Sequence, residues 1–346
     1  MTHSRRKFLK DAASLGTLAT AGAAAACSTP PAAAPAPAAA PTRSLGQGLA
    51  TGLTLLTFRQ GGQNRLGVKT GMGVLDVAQA ASALKMYAPA TMDDLLQNED
   101  GPSLNALVDA SLKSADAKPA FREEGSIEYG PLVSRPEKIL CVGLNYRKHA
   151  KEVGQPIPMY PVLFNKFNNT LNGHKGTVKL PTDLATQFDY EVELVIVMGR
   201  TASRVREADA LSYVAGYATG NDFTARDLQN GRGGQWMIGK TPDQFAPIGP
   251  HMLTADLVDP DKLTIECRVN GEVRQSSNTS DLIFSTRQMI SYISQYITMK
   301  PGDIIFTGTP EGVIFGKPKD KQVWLKPGDK IACSLEKLGE LTFDLV

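Results

Sequence analysis

Two glutamates one residue apart, Glu191 and Glu193, stand in the run Asp189-Tyr190-Glu191-Val192-Glu193-Leu194-Val195-Ile196-Val197. Its β-branched content predicts a strand over 189–197, and a period of two puts both carboxylates on one face. Side by side in an apolar strand they repel, and their burial is costly unless a positive charge lies between them. A divalent cation supplies that charge. The competing reading, a sheet edge with both Glu in water, sits poorly with the apolar run that follows.

Downstream, Gly220-Asn221-Asp222-Phe223-Thr224-Ala225-Arg226-Asp227-Leu228-Gln229 ends a strand and opens a helix, with Asp222 or Thr224 at the capping position. On such a helix Asp222, Arg226 and Gln229 fall on one face, an acid, a guanidinium and an amide suited to a metal and an anionic substrate. Taken alone, a capped surface helix explains these residues equally well. His149 and Glu152 stand at i, i+3 in a helical turn after the strand Ile139 to Val142, where a carboxylate orients an imidazole for activating water. A surface ion pair is the plainer account of that pair by itself. Beyond residue 27 the only other histidines are His174 and His251, too few for a His-rich zinc or iron centre, and carboxylate oxygens favour Mg²⁺, Mn²⁺ or Ca²⁺. The frame Gly234 to Thr241 imitates a phosphate loop, but Trp236 lies inside it and Pro242 follows at once. Lys240 therefore reads as a cation near the carboxylates.

The elements that position these residues are strand-rich. From residue 136 onward, β-branched runs alternate with Gly, Pro, Asn and Asp turns, which points to an α+β domain over 136–346. Residues 45–135 show short strands (Leu53 to Phe58, Arg65 to Val68, Gly73 to Asp76) and two helical stretches, the second around Leu104 to Lys113. They carry no His and read as a small structural domain. Two turns echo each other, Lys300-Pro301-Gly302-Asp303 and Lys326-Pro327-Gly328-Asp329, and each is expected to launch a strand. Cys141, Cys267 and Cys333 lie in apolar contexts and predict buried thiols rather than a disulfide framework.

The chain of 346 residues has a formal net charge of +2, unevenly placed. Arg5, Arg6, Lys7 and Lys10 face Asp11 alone within residues 1–27, so that segment carries +3 and the remainder −1. A faintly acidic body excludes nucleic acid as the main partner. Ser4-Arg5-Arg6-Lys7-Phe8-Leu9-Lys10, followed by an uncharged Ala-rich run, resembles a twin-arginine export signal. The expectation is an exported, periplasmic protein that meets the twin-arginine translocation machinery, either soluble or lipid-anchored through Cys27. Residues 28–44, rich in Pro and Ala, would form an extended linker.

Taken in order, His149-x-x-Glu152, Glu191-x-Glu193, Asp222 with Thr224-Ala225-Arg226-Asp227-x-Gln229, Gly239-Lys240-x-x-Asp243 and Gly308-Thr309-Pro310-x-Gly312-Val313 resemble the fumarylacetoacetate hydrolase family. The resemblance runs from about Leu45 to the C-terminus. It implies a mixed β-roll or sandwich, a partly open barrel, in a homodimer, with Mg²⁺ or Mn²⁺ held by Glu191, Glu193 and Asp222. It further implies a catalytic His149–Glu152 pair, Lys240 in the catalytic set, and Arg226, Gln229 and Thr309 binding an oxo-acid substrate. Some members carry a further acid near the His motif; Val142 and Asn145 flank it here, so three ligands are expected. The implied activity is hydrolysis of a C–C bond in a 2,4-dioxo acid of the acylpyruvate or fumarylpyruvate type. Relatives of this kind also isomerise or decarboxylate 2-hydroxydienoate-type acids, as a 5-carboxymethyl-2-hydroxymuconate isomerase does, or act as lyases on ureidoglycolate. An exported oxo-acid binder without turnover is the alternative of another class, and it has no use for a base such as His149.

Overall fold

The computed structural model describes residues 45–346, so the expected signal segment, Cys27 and the linker lie outside the described residues. Among the described residues, strands gather into a twelve-stranded mixed sheet, a five-stranded sheet and a two-stranded ribbon. The centre of the large sheet runs Ala246–Thr254, Val214–Asn221, Val192–Met198, Ile304–Phe306, Ile139–Gly143 and Val162–Lys166. Most neighbours are antiparallel, while Ile304–Phe306 pairs with Ile139–Gly143 in parallel. The five-stranded sheet runs Glu272–Asn278, Thr264–Val269, Lys330–Leu335, Gly339–Leu345 and Gly176–Val178. The strands form open sheets joined by short helices, the strand-rich α+β class expected.

The strand Val192–Met198 explains why the site can be built at all. Every one of its residues is buried, with Leu194, Val195 and Ile196 at 0 % exposure, because sheet neighbours flank it and side chains cover both faces. Burial of such side chains contributes about 1.5–3 kcal/mol each, which offsets the cost of holding charges at the same depth. The expected strand over 189–197 is divided. Phe188–Asp189 pairs with Thr224–Ala225 as a separate ribbon, and the large sheet takes up the chain only from Val192.

The boundary expected near residue 135 does not separate one sheet from another. Thr54–Gln60 pairs with Ala246–Thr254, so the strands of residues 45–135 extend the same sheet, and residues 45–346 fall in one compact unit. Without this pairing Ala246–Thr254 would present an unsatisfied edge. The paired turns share one construction. In each, Asp303 or Asp329 accepts a hydrogen bond from the backbone N–H of its Lys (2.7 and 2.9 Å), and Gly302 and Gly328 take φ of 89° and 94°. The strands Ile304–Phe306 and Lys330–Leu335 follow directly. Cys141, Cys267 and Cys333 are buried and free.

Candidate active site and metal centre

Antiparallel register brings the acids together. Val192 pairs with Asn221 and Glu193 with Gly220, so Asp222 lies opposite Glu191, and the Asp222 N–H donates to the Glu191 carbonyl at 2.9 Å. Glu193 is two residues further along the same face. Carboxylate oxygens of Glu191, Glu193 and Asp222 lie within 4.8 Å of one another, and all three residues are buried.

Such a cluster survives only with compensation. Lys240 Nζ contacts Glu191 Oε2 at 2.6 Å and Asp222 Oδ2 at 2.8 Å. Lys166 Nζ bonds to Asp222 Oδ1 and reaches the Phe223 carbonyl at 3.2 Å. Arg226 joins Asp189 through Nε (2.9 Å), Glu191 through Nη2 (2.6 Å) and Gln229 Oε1 through Nη1 (3.0 Å). Burial alone would raise the Glu191 carboxyl, but the charges of Lys240 and Arg226 outweigh it and hold the pKa at about 2. Glu193 goes the other way. Burial and the charges of Asp222 and Glu191 push it well above the ordinary carboxylate range, and its hydrogen bond among the described residues is from the Gly308 N–H at 2.7 Å.

A buried carboxylate facing two others, with no lysine or arginine bonded to it, is what an oxygen-seeking divalent cation would settle. The donor set of Glu191, Glu193 and Asp222 fits Mg²⁺ or Mn²⁺ on that ground.

Lys240 reaches the cluster because Gly239 lets its four-residue helix, Met237–Lys240, lie against Arg226–Gly231. A Cβ at Gly239 would come within 2.5 Å of the Ala225 carbonyl oxygen and of the Gln229 nitrogen. The short helix, with Pro242 just beyond it, also bears out the rejection of a phosphate loop. The longer helix starts differently from expectation. It begins at Arg226 and has Ala225 at its N-cap with no side-chain cap, so Asp222 belongs to the strand end and not to a helix face. Strand pairing of Thr224–Ala225 occupies the backbone there, and the Arg226 N–H is satisfied by the Gln187 carbonyl at 2.8 Å.

The His149–Glu152 pair sits on the helix Arg147–Glu152, with Nδ1 and Oε2 3.2 Å apart. Glu152 Oε1 also accepts the Gly312 N–H at 2.9 Å, which fixes the carboxylate from the far side. His149 is 7 % exposed and lines a cleft of about 360 Å³ together with Glu191, Glu193, Arg226, Gln229, Lys240 and Thr309. Val142, Phe164, Trp236 and Phe315 form apolar parts of its wall.

One segment, residues 307–316, ties these groups together. Besides its bonds to Glu193 and Glu152, it offers the Ile314 and Phe315 N–H groups to Asp189 at 2.9 and 3.0 Å. Thr309 donates its hydroxyl to the Val192 carbonyl (2.9 Å) and accepts from Gln275 Nε2 (2.8 Å). Arg226, Gln229 and Thr309 thus line the cleft with much of their hydrogen-bonding capacity already committed inside the protein. Arg226 in particular braces Glu191 and Asp189, which differs from the substrate clamp its spacing suggests.

Lys166, Asp189 and Gln275 carry no role in the motif reading. Asp189 has a signal, since it continues the period-two series of Glu191 and Glu193. Lys166 ends the apolar strand Val162–Lys166, where a lysine ordinarily turns to water.

Fold and side chains together place a His–Glu pair and a cluster of three carboxylates on one cleft, set in an open α+β protein of mixed sheets. The family described as Fumarylacetoacetate (FAA) hydrolase C-terminal matches residues 138–346. The mitochondrial oxaloacetate tautomerase FAHD2A of Bos taurus is 42 % identical over 279 residues, covering 79 % of this chain and 85 % of that protein. Among solved structures, the fumarylacetoacetate hydrolase of Exiguobacterium antarcticum superposes with a TM-score of 0.69 at 32 % identity, over 85 % of this chain and 99 % of the other. The maleylpyruvate hydrolase of Sphingobium sp. SYK-6, solved with manganese(II) and pyruvate, gives 0.67 at 30 % identity over 85 % and 98 %. The chain belongs to the fumarylacetoacetate hydrolase family.

Proposed function

We propose that this enzyme hydrolyses a C–C bond in small 2,4-dioxo acids, with His149 and Glu152 as its base and Glu191, Glu193 and Asp222 as the ligands of Mg²⁺ or Mn²⁺. The observation that carries the reading is the His149–Glu152 pair at 3.2 Å on the wall of the cleft that Glu191 and Glu193 also line. Bound there, the cation would polarise the 2-oxo group of a chelating oxo acid and stabilise the enolate that leaves. His149 Nε2 takes a proton from water, while Glu152 Oε2 accepts the Nδ1–H and steadies the imidazolium. Gly312 keeps Glu152 from swinging away, and Lys240 holds Glu191 ionised while bridging it to Asp222. Gln229, bonded to Arg226 through Oε1, keeps its amide NH₂ for the substrate.

A second reading has a specific support. The 42 % identical relative is an oxaloacetate tautomerase, and proton transfer at carbon next to a ketone uses the same base and cation without cleavage. Purified protein with Mn²⁺ and a panel of dioxo and oxo acids separates the two. Hydrolysis consumes the enol absorbance and yields two acids, whereas tautomerisation accelerates keto–enol exchange with no new product. Turnover that survives both chelation and His149→Ala overturns either reading.

Export belongs to the proposal as well, supported by the twin arginines at Arg5 and Arg6. Replacing both by Lys is expected to strand the protein in the cytoplasm, and an unchanged location would refute it. Cys27→Ala distinguishes a lipid-anchored from a soluble form, and sedimentation measures the homodimer.

A further inference from the structure

We propose that Cys267 and Cys333 are a modification site, a thiol pair that closes reversibly into a cross-strand disulfide directly behind the carboxylate cluster. The two residues face each other in the register of Thr264–Val269 with Lys330–Leu335. Their position in the ladder follows from its ends. The Glu336 N–H donates to the Thr264 carbonyl and the Asn270 N–H to the Lys330 carbonyl, both at 2.9 Å. Hydrogen-bonded and non-hydrogen-bonded pairs alternate, so 264/336 and 270/330 are bonded pairs and 267/333 falls on a non-bonded one. There the Cα atoms approach to about 4.5 Å, within the range a disulfide spans. The sulfurs already lie 3.8 Å apart, and both side chains are at 0 % exposure.

The pair is wired to the site. Asn221 Nδ2 donates to Cys333 Sγ at 3.3 Å, and Asn221 Oδ1 accepts the Glu191 N–H at 3.3 Å. Asn221 also directly precedes Asp222. Drawing the Cys333 sulfur toward Cys267 removes the acceptor that holds the Asn221 amide, and the backbone of Glu191 loses its partner in turn. Both sulfurs lie in the main core, and the outer strand Glu272–Asn278, the edge of this sheet, pairs beside Cys267 at Gln275, so peroxide reaches them when that edge opens. Edge strands open locally at low cost compared with global unfolding.

The oxidant is a peroxide. One cysteine thiolate attacks it, the O–O bond breaks, and a sulfenic acid forms with loss of hydroxide. The second sulfur then displaces that hydroxyl, forming the S–S bond, so that two thiols and one peroxide give one disulfide and two waters. A thiol reductant reverses the step.

The consequence for the cation rests on the metal reading above. The full-length protein, reduced and then treated with hydrogen peroxide, is expected to lose two hydrogens in intact mass and to yield a Cys267–Cys333 cross-linked peptide. Its Mn²⁺ dissociation constant, measured by calorimetry with the metal alone, should rise about tenfold and recover with a dithiol. Cys267→Ala keeps Cys333 beside Asn221 and should bind Mn²⁺ normally with no response to peroxide. Should that variant fold poorly, the recovery on reduction of the unmodified chain carries the same comparison. Oxygen addition without the cross-link overturns the site, and a cross-link that leaves Mn²⁺ affinity unchanged overturns the coupling. Absence of Mn²⁺ binding in the reduced protein would instead refute the metal reading and leave the disulfide standing or falling on the peptide map.

Discussion

The floor of the cleft and its wall are built on opposite terms. At the floor, Asp189, Glu191 and Asp222 are paired with Lys166, Arg226 and Lys240 while Glu193 has none of these cations, and all seven are buried on strands, strand ends or short helices. On the wall, His149 and Glu152 occupy a six-residue helix, with side chains 9 % and 20 % exposed. Charges at the floor cannot lose a partner without exposing the next to a medium that does not solvate them. The dyad lies at the wall of an open cleft. The floor should therefore be inseparable from folding, while the wall should carry chemistry that can be removed cleanly.

Asp222→Ala tests this hardest. It strips Lys166 of its carboxylate and leaves Lys240 with Glu191 alone, and breaking a buried pair costs about 3–5 kcal/mol, so urea unfolding should show a loss of that size along with lost Mn²⁺ binding. A variant of unchanged stability would erase the distinction. His149→Ala should lower kcat by about 10²- to 10⁴-fold while leaving stability within about 1 kcal/mol and Mn²⁺ affinity unaltered. Steady-state kinetics paired with unfolding curves checks both halves.

The two glutamates sharpen the comparison through pH. Glu193, raised by burial and then by Asp222 and Glu191, favours the protonated form on folding, so it costs metal-free stability as pH climbs above the ordinary 4.5. Glu191, held at about 2, is a stabilising group above 4.5 whose contribution fades as pH falls toward 2. Between 4.5 and neutrality His174, lowered to about 4 by burial, and His251, also lowered by burial, act in the opposite sense to Glu193, so the share of Glu193 is read as the difference between the unmodified chain and Glu193→Gln. Relative to Glu193→Gln, metal-free stability of the unmodified chain should fall as pH climbs above 4.5, and Mn²⁺ binding should release protons wherever Glu193 is still protonated, read by calorimetry in buffers of different ionisation heat. A profile identical to that of Glu193→Gln, with no proton release, would break the claim that the floor awaits a cation. The smallest effect is expected from Glu152→Gln, whose one acceptor oxygen serves His149 or Gly312 but not both and which loses the charge that steadies the imidazolium; kcat should drop about tenfold with stability changed by about 1 kcal/mol or less.

What the sequence reveals of the floor is whatever obeys local rules. Period two places Glu191 beside Glu193, and a strand ending at Asn221 puts Asp222 within reach once register is set. His149 and Glu152 meet because three residues make nearly one helical turn. What stays hidden depends on partners far away in the chain. The helix start is misplaced because a hydroxyl or carboxylate at 222–224 reads as a cap, whereas pairing with Phe188–Asp189 already uses that backbone. Arg226 reads as a substrate group because its ties to Asp189 and Glu191 depend on a strand pairing between distant stretches of chain. Lys166 looks like a solvated strand end, and only the packing of Val162–Lys166 against Ile139–Gly143 turns it inward. The large sheet also absorbs residues 45–135, since the pairing of Thr54 with Leu253 leaves no local trace.

The segment 307–316 has a consequence for the order of events during synthesis. Its bonds to Glu152, Asp189 and Glu193 span 160, 125 and 115 residues, so these three acids leave the ribosome long before the backbone N–H groups that hold them. Contacts of such long range form late, after much loop entropy has been spent. The growing chain thus carries an incomplete centre until nearly its last strand emerges, and catalytic competence arrives in one step with the finished fold. A protein whose chemistry switches on only at completion is protected from acting, or from trapping metal in the wrong geometry, while still nascent.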